Sequence, residues 1–255
     1  MKVIAAIAEN TFRETIRDRV LYNILFFAFG MIILSLIASS WSINQEVKIL
    51  KDFGLTVMNL FGLLIAVFIG IGLVYKEVER KTIYVIISKP IHRFQFILGK
   101  YFGLLVTLFI TMGIMTIAFF SILYIFQAEF DSLLLLGIFT IYLEMVFVVA
   151  FALLFSSFTT PMLSAILSIF IYIGGHFSAD IKLIGPGIEN AFFKLLLTIL
   201  HYVLPNFAYF NIKNEVVHRL PVSAEQFVFS ILYSILYLFI IFSLTIFIFH
   251  KRDFK

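Results

Sequence analysis

The chain has no cysteine, five prolines and a single tryptophan in 255 residues, and only 13% of its residues are charged. Without cysteine there is no disulfide, no thiolate metal site and no cysteine nucleophile. The absence says little about compartment, because a membrane-embedded chain needs no disulfide for stability. Soluble domains carry about 25% charged residues, so the composition excludes an ordinary soluble protein. Motifs that carry chemistry are also missing. The only Gly-Lys pair, Gly99-Lys100, is followed by Tyr101 and has no glycine five residues upstream, so the chain cannot hydrolyse ATP by the P-loop route. There is no His-Glu-x-x-His, no Gly-x-Ser-x-Gly and no cluster of carboxylates. The five histidines (His92, His176, His201, His218, His250) are scattered without ligand spacing, which argues against a metal site. No cleavable signal peptide is read, because a charged amphipathic stretch rather than a short basic one precedes the first apolar block.

What the chain does have is apolar surface: 62% hydrophobic residues, 33 of them phenylalanine, and a mean hydropathy of +1.08. That composition identifies an all-α, polytopic membrane protein. Six segments have the apolar length of about 20 residues that a spanning helix needs: 20–38, 55–74, 101–126, 133–155, 162–179 and 227–249. The first 19 residues are different. Ile4, Ile7, Ala8, Thr11, Phe12, Thr15 and Ile16 recur at helical spacing, while Glu9, Asn10, Arg13, Glu14, Arg17 and Asp18 fill the other side, so the spacing predicts an amphipathic helix lying in the interface. Gly62, Gly70 and Gly72 in the second span, and Gly99 with Gly103 at the start of the third, are sites where another helix can approach closely. Thr160-Pro161 reads as an N-cap followed by the proline favoured at the first helical position. The fifth span is short, and the reading leaves it incomplete, tilted or broken near Gly174-Gly175.

Two polar stretches stand out. Residues 76–100 hold six basic residues against Glu77 and Glu79, interspersed with apolar ones too numerous for a solvated linker, so the segment should fold and dock. Residues 180–226 form an outer segment in which the run from Phe192 to Leu204 is too short to span, in the length range of a re-entrant helix. Phe192, Leu196, Leu200, Pro205 and Asn206 are the candidate outer gate there. With six spans, both termini share a side with residues 76–100. That side holds Lys2, Arg13, Arg17, Arg19, the six basic loop residues, Lys251, Arg252 and Lys255; the other has only Lys48, Lys51, Lys182, Lys194, Lys213 and Arg219. The positive-inside rule puts the termini in the cytoplasm.

The stretches Glu77-Val78-Glu79-Arg80-Lys81-Thr82, Ile87-Ser88-Lys89-Pro90-Ile91 with Arg93, and Phe96-Ile97-Leu98-Gly99-Lys100 resemble the cytoplasmic loop of type-2 ABC exporter permeases. Lys81 departs from that family, in which many members carry glycine before the threonine. The amphipathic start, the six spans and the long outer segment are similar too, so the resemblance covers the whole chain. Within the family the chain is most similar to the permeases serving nitrous oxide reductase maturation. The resemblance implies a permease in the cytoplasmic (inner) membrane that is not itself an enzyme and holds no cofactor. ATP and Mg belong to two copies of a separate ATP-binding-cassette ATPase, a second permease copy or a similar permease completes a dimer, and an extracytoplasmic accessory protein is a further candidate partner; nucleic acid is not. It also implies that Glu77, Glu79, Arg80, Thr82, Ser88, Lys89, Pro90 and Arg93 transmit the ATPase's closure. The other reading of that loop is a headgroup anchor, which would need basic residues but not two acids.

Glu144, near the middle of the fourth span, is the one acid deep in an apolar block. Such a group marks a translocation path or makes a polar packing contact with a neighbouring Tyr, Ser or Thr, and the sequence leaves both open. The competing functional class is an autonomous secondary transporter or channel, for which internal repeats and several intramembrane polar groups would be expected.

Overall fold

The computed structural model describes residues 2–40, 45–79, 92–126, 130–184 and 190–251, with the side chains of 38–40, 73–79, 182–184, 224, 226, 250 and 251 left aside. Among these residues all regular structure is helical. That is the outcome the bilayer imposes on a chain this apolar, because a lipid-exposed backbone must satisfy its own N–H and C=O groups. In chain order the helices are α1 (Lys2–Ile16), α2 (Arg19–Ser40), α3 (Glu46–Glu79), α4 (Arg93–Ile125), α5 (Ser132–Ser156), α6 (Pro161–Ile184), α7 (Ala191–Val203), α8 (Lys213–Val217) and α9 (Ala224–Lys251), with a 3-10 turn at Phe207–Tyr209. Six of them, α2 to α6 and α9, are long and apolar enough to cross a membrane.

α3 begins at Glu46, well before the Leu55 expected from hydropathy, and α4 begins at Arg93 rather than Tyr101. At 1.5 Å per residue, the 34 residues of α3 measure roughly 51 Å against a hydrocarbon core of about 30 Å, so the helix projects well beyond it. Much of the stretch expected to be a loop, residues 76–79 and 93–100, is therefore helical, and only residues 80–91 lie outside the description.

α3 and α5 form the centre, each with 78% of its spanning window buried, while α2, α6 and α9 surround them with 28%, 22% and 17% buried. Small residues set the spacing. A Cβ at Gly54 of α3 would overlap the Phe119 ring of α4, and one at Gly70 would lie 3.0 Å from Ala152 of α5. Gly72, by contrast, faces open space.

Two glycine pairs have partners that periodicity could not name. Gly99 and Gly103 receive α1 rather than another span: Cβ atoms there would lie 2.6 Å from the Ile7 Cβ and 2.6 Å from the Ala8 carbonyl oxygen. α1 thus lies along the first turns of α4 with Thr11 and Thr15 fully buried. Gly174 and Gly175 do not break α6, which runs unbroken from Pro161 to Ile184. They make room for the outer segment, since a Cβ at Gly175 would lie 2.5 Å from the Phe207 ring and 2.8 Å from the Pro205 carbonyl.

Candidate functional site

The central helices bring a polar cluster together inside the bundle. Glu144, on the buried face of α5, is 2% exposed. Its Oε2 accepts from Asn59 Nδ2 on α3 at 3.3 Å, and Asn59 Oδ1 in turn accepts from the Tyr172 hydroxyl on α6 at 2.5 Å. Its Oε1 lies 3.0 Å from His176 Nε2, one turn beyond Tyr172 on the same face of α6. The other imidazole nitrogen, Nδ1, is 3.1 Å from the Tyr172 backbone carbonyl. Helical spacing explains the pair: residues four apart lie one above the other, so a tyrosine and a histidine at positions 172 and 176 present to one polar cluster, the tyrosine to Asn59 and the histidine to Glu144.

The cluster is capped on one side by aromatic surface. Phe207 of the 3-10 turn is fully buried, with its ring 5.8 Å from His176 and 6.0 Å from Tyr172. Lys213 on α8 lies within electrostatic reach of Glu144, His176 and Asp52. Glu144 therefore makes a polar contact across three spans, with Asn59 and His176 as its direct partners and Tyr172 one bond further. Asn59, Tyr172 and His176 were not singled out from the sequence. The available signal was Tyr172 and His176 four residues apart within an apolar block, which a search for metal-ligand spacing passes over.

A second polar cluster ties down the rim where α3 and α5 begin. Asp131 caps α5 by accepting from the Leu133 N–H, and its Oδ2 accepts from Lys51 Nζ at 2.9 Å and from Arg219 Nε at 3.2 Å. Burial alone would push the Asp131 carboxyl up, but the hydrogen bond and charge of Lys51, the Leu133 amide and Arg219 outweigh it and hold the carboxyl below its ordinary value. Arg219 sits at φ 54, in the left-handed region usual for glycine. It occupies the position just past α8, where the Leu220 N–H returns to the Glu215 carbonyl at 2.8 Å and closes the helix end.

The opposite rim carries the residues assigned to coupling. Glu77 and Glu79 form the last turn of α3, and Arg80, Thr82, Ser88, Lys89 and Pro90 lie outside the described residues. Arg93 Nη1 donates to the Phe249 carbonyl at 2.9 Å, next to the stacked Phe96 and Phe249 rings, so the start of α4 is tied to the end of α9. Lys100, grouped with the loop by sequence, is 1% exposed and turns inward: its Nζ is 3.5 Å from Glu14 of α1 and 5.9 Å from the centre of the Phe96 ring. Its charge anchors α1 rather than facing a partner.

Of the proposed gate residues, Phe192 and Leu196 are exposed on α7, Leu200 is half-buried, and Pro205 is buried against α6. Asn206 donates its backbone N–H to the Tyr233 hydroxyl at 2.9 Å and caps the 3-10 turn through Ala208. Among the described residues no group of three or more His, Asp or Glu side chains could hold a metal ion.

Six helices long and apolar enough to span, around a buried polar cluster, define a multi-pass membrane protein. A profile of the ABC-2 family transporter proteins matches residues 5–254, nearly the whole chain, and the protein belongs to that family. No curated protein matches the chain. Family membership makes it the membrane-embedded permease of an ABC transporter rather than an enzyme.

Proposed function

We propose that the chain is the permease subunit of an ATP-driven exporter, moving its substrate by alternating access that a separate ATPase powers. The observation that carries this reading is the continuity of α3. One unbroken helix joins Glu77 and Glu79 to Asn59, which holds Glu144, over 18 residues or roughly 27 Å. A rigid helix of that kind can pass a displacement at the rim to the polar cluster, as a ligand-driven switch requires.

In this reading α1 lies in the cytoplasmic interface, both termini are cytoplasmic, and the membrane is the inner one. Glu77, Glu79, Arg80, Thr82, Ser88, Lys89, Pro90 and Arg93 contact two copies of the ATPase, which hold the ATP and Mg. A second copy of the chain completes the pathway, α7 is re-entrant, and Phe192, Leu196, Leu200, Pro205 and Asn206 form the outer gate, open to an accessory protein. The maturation of nitrous oxide reductase is the process that the sequence resemblance favours. Arg93 has a double role, since its bond to Phe249 would carry loop movement into α9.

The test is purification from the native membrane in mild detergent, identification of bound chains, and an ATPase assay on wild type and Glu77→Ala/Glu79→Ala. Recovery of a P-loop ATPase whose activity no longer responds to the permease in the variant supports the reading. A chain that purifies alone and transports in vesicles without ATP would make it an autonomous transporter instead.

A further inference from the structure

Hydrogen-bond polarity in the central cluster fixes a proton count. The Tyr172 carbonyl can only accept, so His176 Nδ1 must carry a hydrogen and donate to it across 3.1 Å. An imidazole protonated only at Nε2 would instead turn a bare Nδ1 lone pair onto that carbonyl. Asn59 is oriented by the Tyr172 hydroxyl on its Oδ1, so its Nδ2 donates to Glu144 Oε2, which must be a bare acceptor. The remaining contact sets Glu144 Oε1, a buried oxygen with no hydrogen bond of its own, 3.0 Å from His176 Nε2, and a proton on either atom relieves that close approach of two acceptors. That proton makes either imidazolium with carboxylate or imidazole with carboxylic acid. Both forms have no net charge.

We propose that Glu144 and His176 form a proton-binding site that latches α5 to α6 inside the membrane, with Lys213 of the outer segment as its counter-charge when the proton leaves. Glu144 is almost wholly enclosed, whereas the His176 side chain is 26% exposed, so the proton enters and leaves through the imidazole edge. Occupied, the site is neutral. Empty, it is a buried carboxylate, a state that a low-dielectric surround opposes unless a cation approaches. Lys213 of α8 is the cation within electrostatic reach of Glu144, and Asp52 of α3 is a second acid within its reach. On α6 the other titratable groups are Tyr172, one turn before His176, and the exposed Asp180, one turn after it; Phe207 of the 3-10 turn packs on the pair, and His201 of α7 is turned away to Ser178, 2.8 Å from its carbonyl. Because Asn59 rides on the same helix as Glu77 and Glu79, occupancy of the site is able to bias the element assigned to coupling.

The site is tested in the full chain, reconstituted in lipid nanodiscs with 15N-labelled histidine, by following the ring-nitrogen signals over a pH series and assigning His176 with His176→Asn. The expected wild-type result is a His176 that carries hydrogen on Nδ1 at every pH, with a one-proton step. Glu144→Gln is expected to weaken its proton affinity roughly tenfold, one unit of titration midpoint. Lys213→Gln, which leaves the buried cluster intact, is expected to strengthen it several-fold. A neutral His176 protonated on Nε2 in wild type would overturn the proposal, as would a midpoint that ignores both substitutions. The readout needs no ATPase, so a failed coupling reading leaves it standing, and its own failure leaves coupling untouched.

Discussion

Thr11 of α1 lies directly over Gly103 of α4: a Cβ at position 103 would sit 2.6 Å from the Thr11 Cβ and 2.6 Å from the Ala8 carbonyl oxygen. Nothing larger than a hydrogen fits between the two helices there. Gly103→Ala is expected to destabilise the protein by about 1–3 kcal/mol, the cost of overpacking, even though alanine is the better helix former by about 1 kcal/mol. Gly113→Ala, on the same helix and facing open space, is expected to be neutral or mildly stabilising. Thermal unfolding in one detergent, with proteolytic release of α1 as a local readout, checks both. Equal effects of the two substitutions would refute the close-packing account.

The Lys51–Asp131–Arg219 cluster gives a pH dependence of defined sign. The Asp131 carboxyl is held below its ordinary value of about 3.9, so its contribution to stability is fully present above that pH. It is lost as pH falls below about 4 and through the lower folded-state value. Asp131→Asn is expected to remove this acid component and to cost about 3–5 kcal/mol at neutral pH, because it leaves the buried Lys51 ammonium without its carboxylate. Unfolding midpoints of wild type and variant, compared between pH 7 and 3, should converge toward acid. A constant gap across that range would show that Asp131 acts through its helix cap alone.

Asn59 bridges Glu144 and Tyr172 and has both of its amide ends used. Asn59→Leu orphans two buried groups at once, and the expected cost is about 1–3 kcal/mol, above the roughly 0.6 kcal/mol average for an interhelical hydrogen bond in a membrane. Tyr172→Phe orphans only the Asn59 carbonyl oxygen and should cost less. The double variant is expected to be less destabilised than the sum of the singles by at least about 0.5 kcal/mol, the mark of residues in one network. Strict additivity would separate them.

Particular residues show how much of this was legible beforehand. The apolar stripe from Ile4 to Ile16 showed which side of α1 is covered, because a helix repeats every 3.6 residues whatever it packs against. Glu144 stood out as a polar group of consequence because an acid in an apolar block is costly unless it is partnered. Its partners were not legible. Asn59, Tyr172 and His176 lie 85, 28 and 32 positions away along the chain, and only folding brings Asn59 and His176 within 3.3 Å of Glu144 and Tyr172 onto Asn59. Lys100 looked like a loop cation because its neighbours in sequence are, yet it faces Glu14 once α4 begins early.

The sequence by itself determined that the chain is helical, that six of its segments are long and apolar enough to cross a membrane and that its basic residues are unevenly distributed between them. Those properties depend on local apolar length and charge, which lipid reads directly. Only the tertiary structure decided which spans are central. α5 and α9 have the same mean hydropathy, yet 78% of one spanning window is buried and only 17% of the other. Lipid tails are as apolar as leucine, so hydropathy cannot tell a face that meets lipid from one that meets protein. Shape makes that choice, through Gly54, Gly70, Gly99, Gly103 and Gly175, where the absence of a side chain lets a neighbour approach.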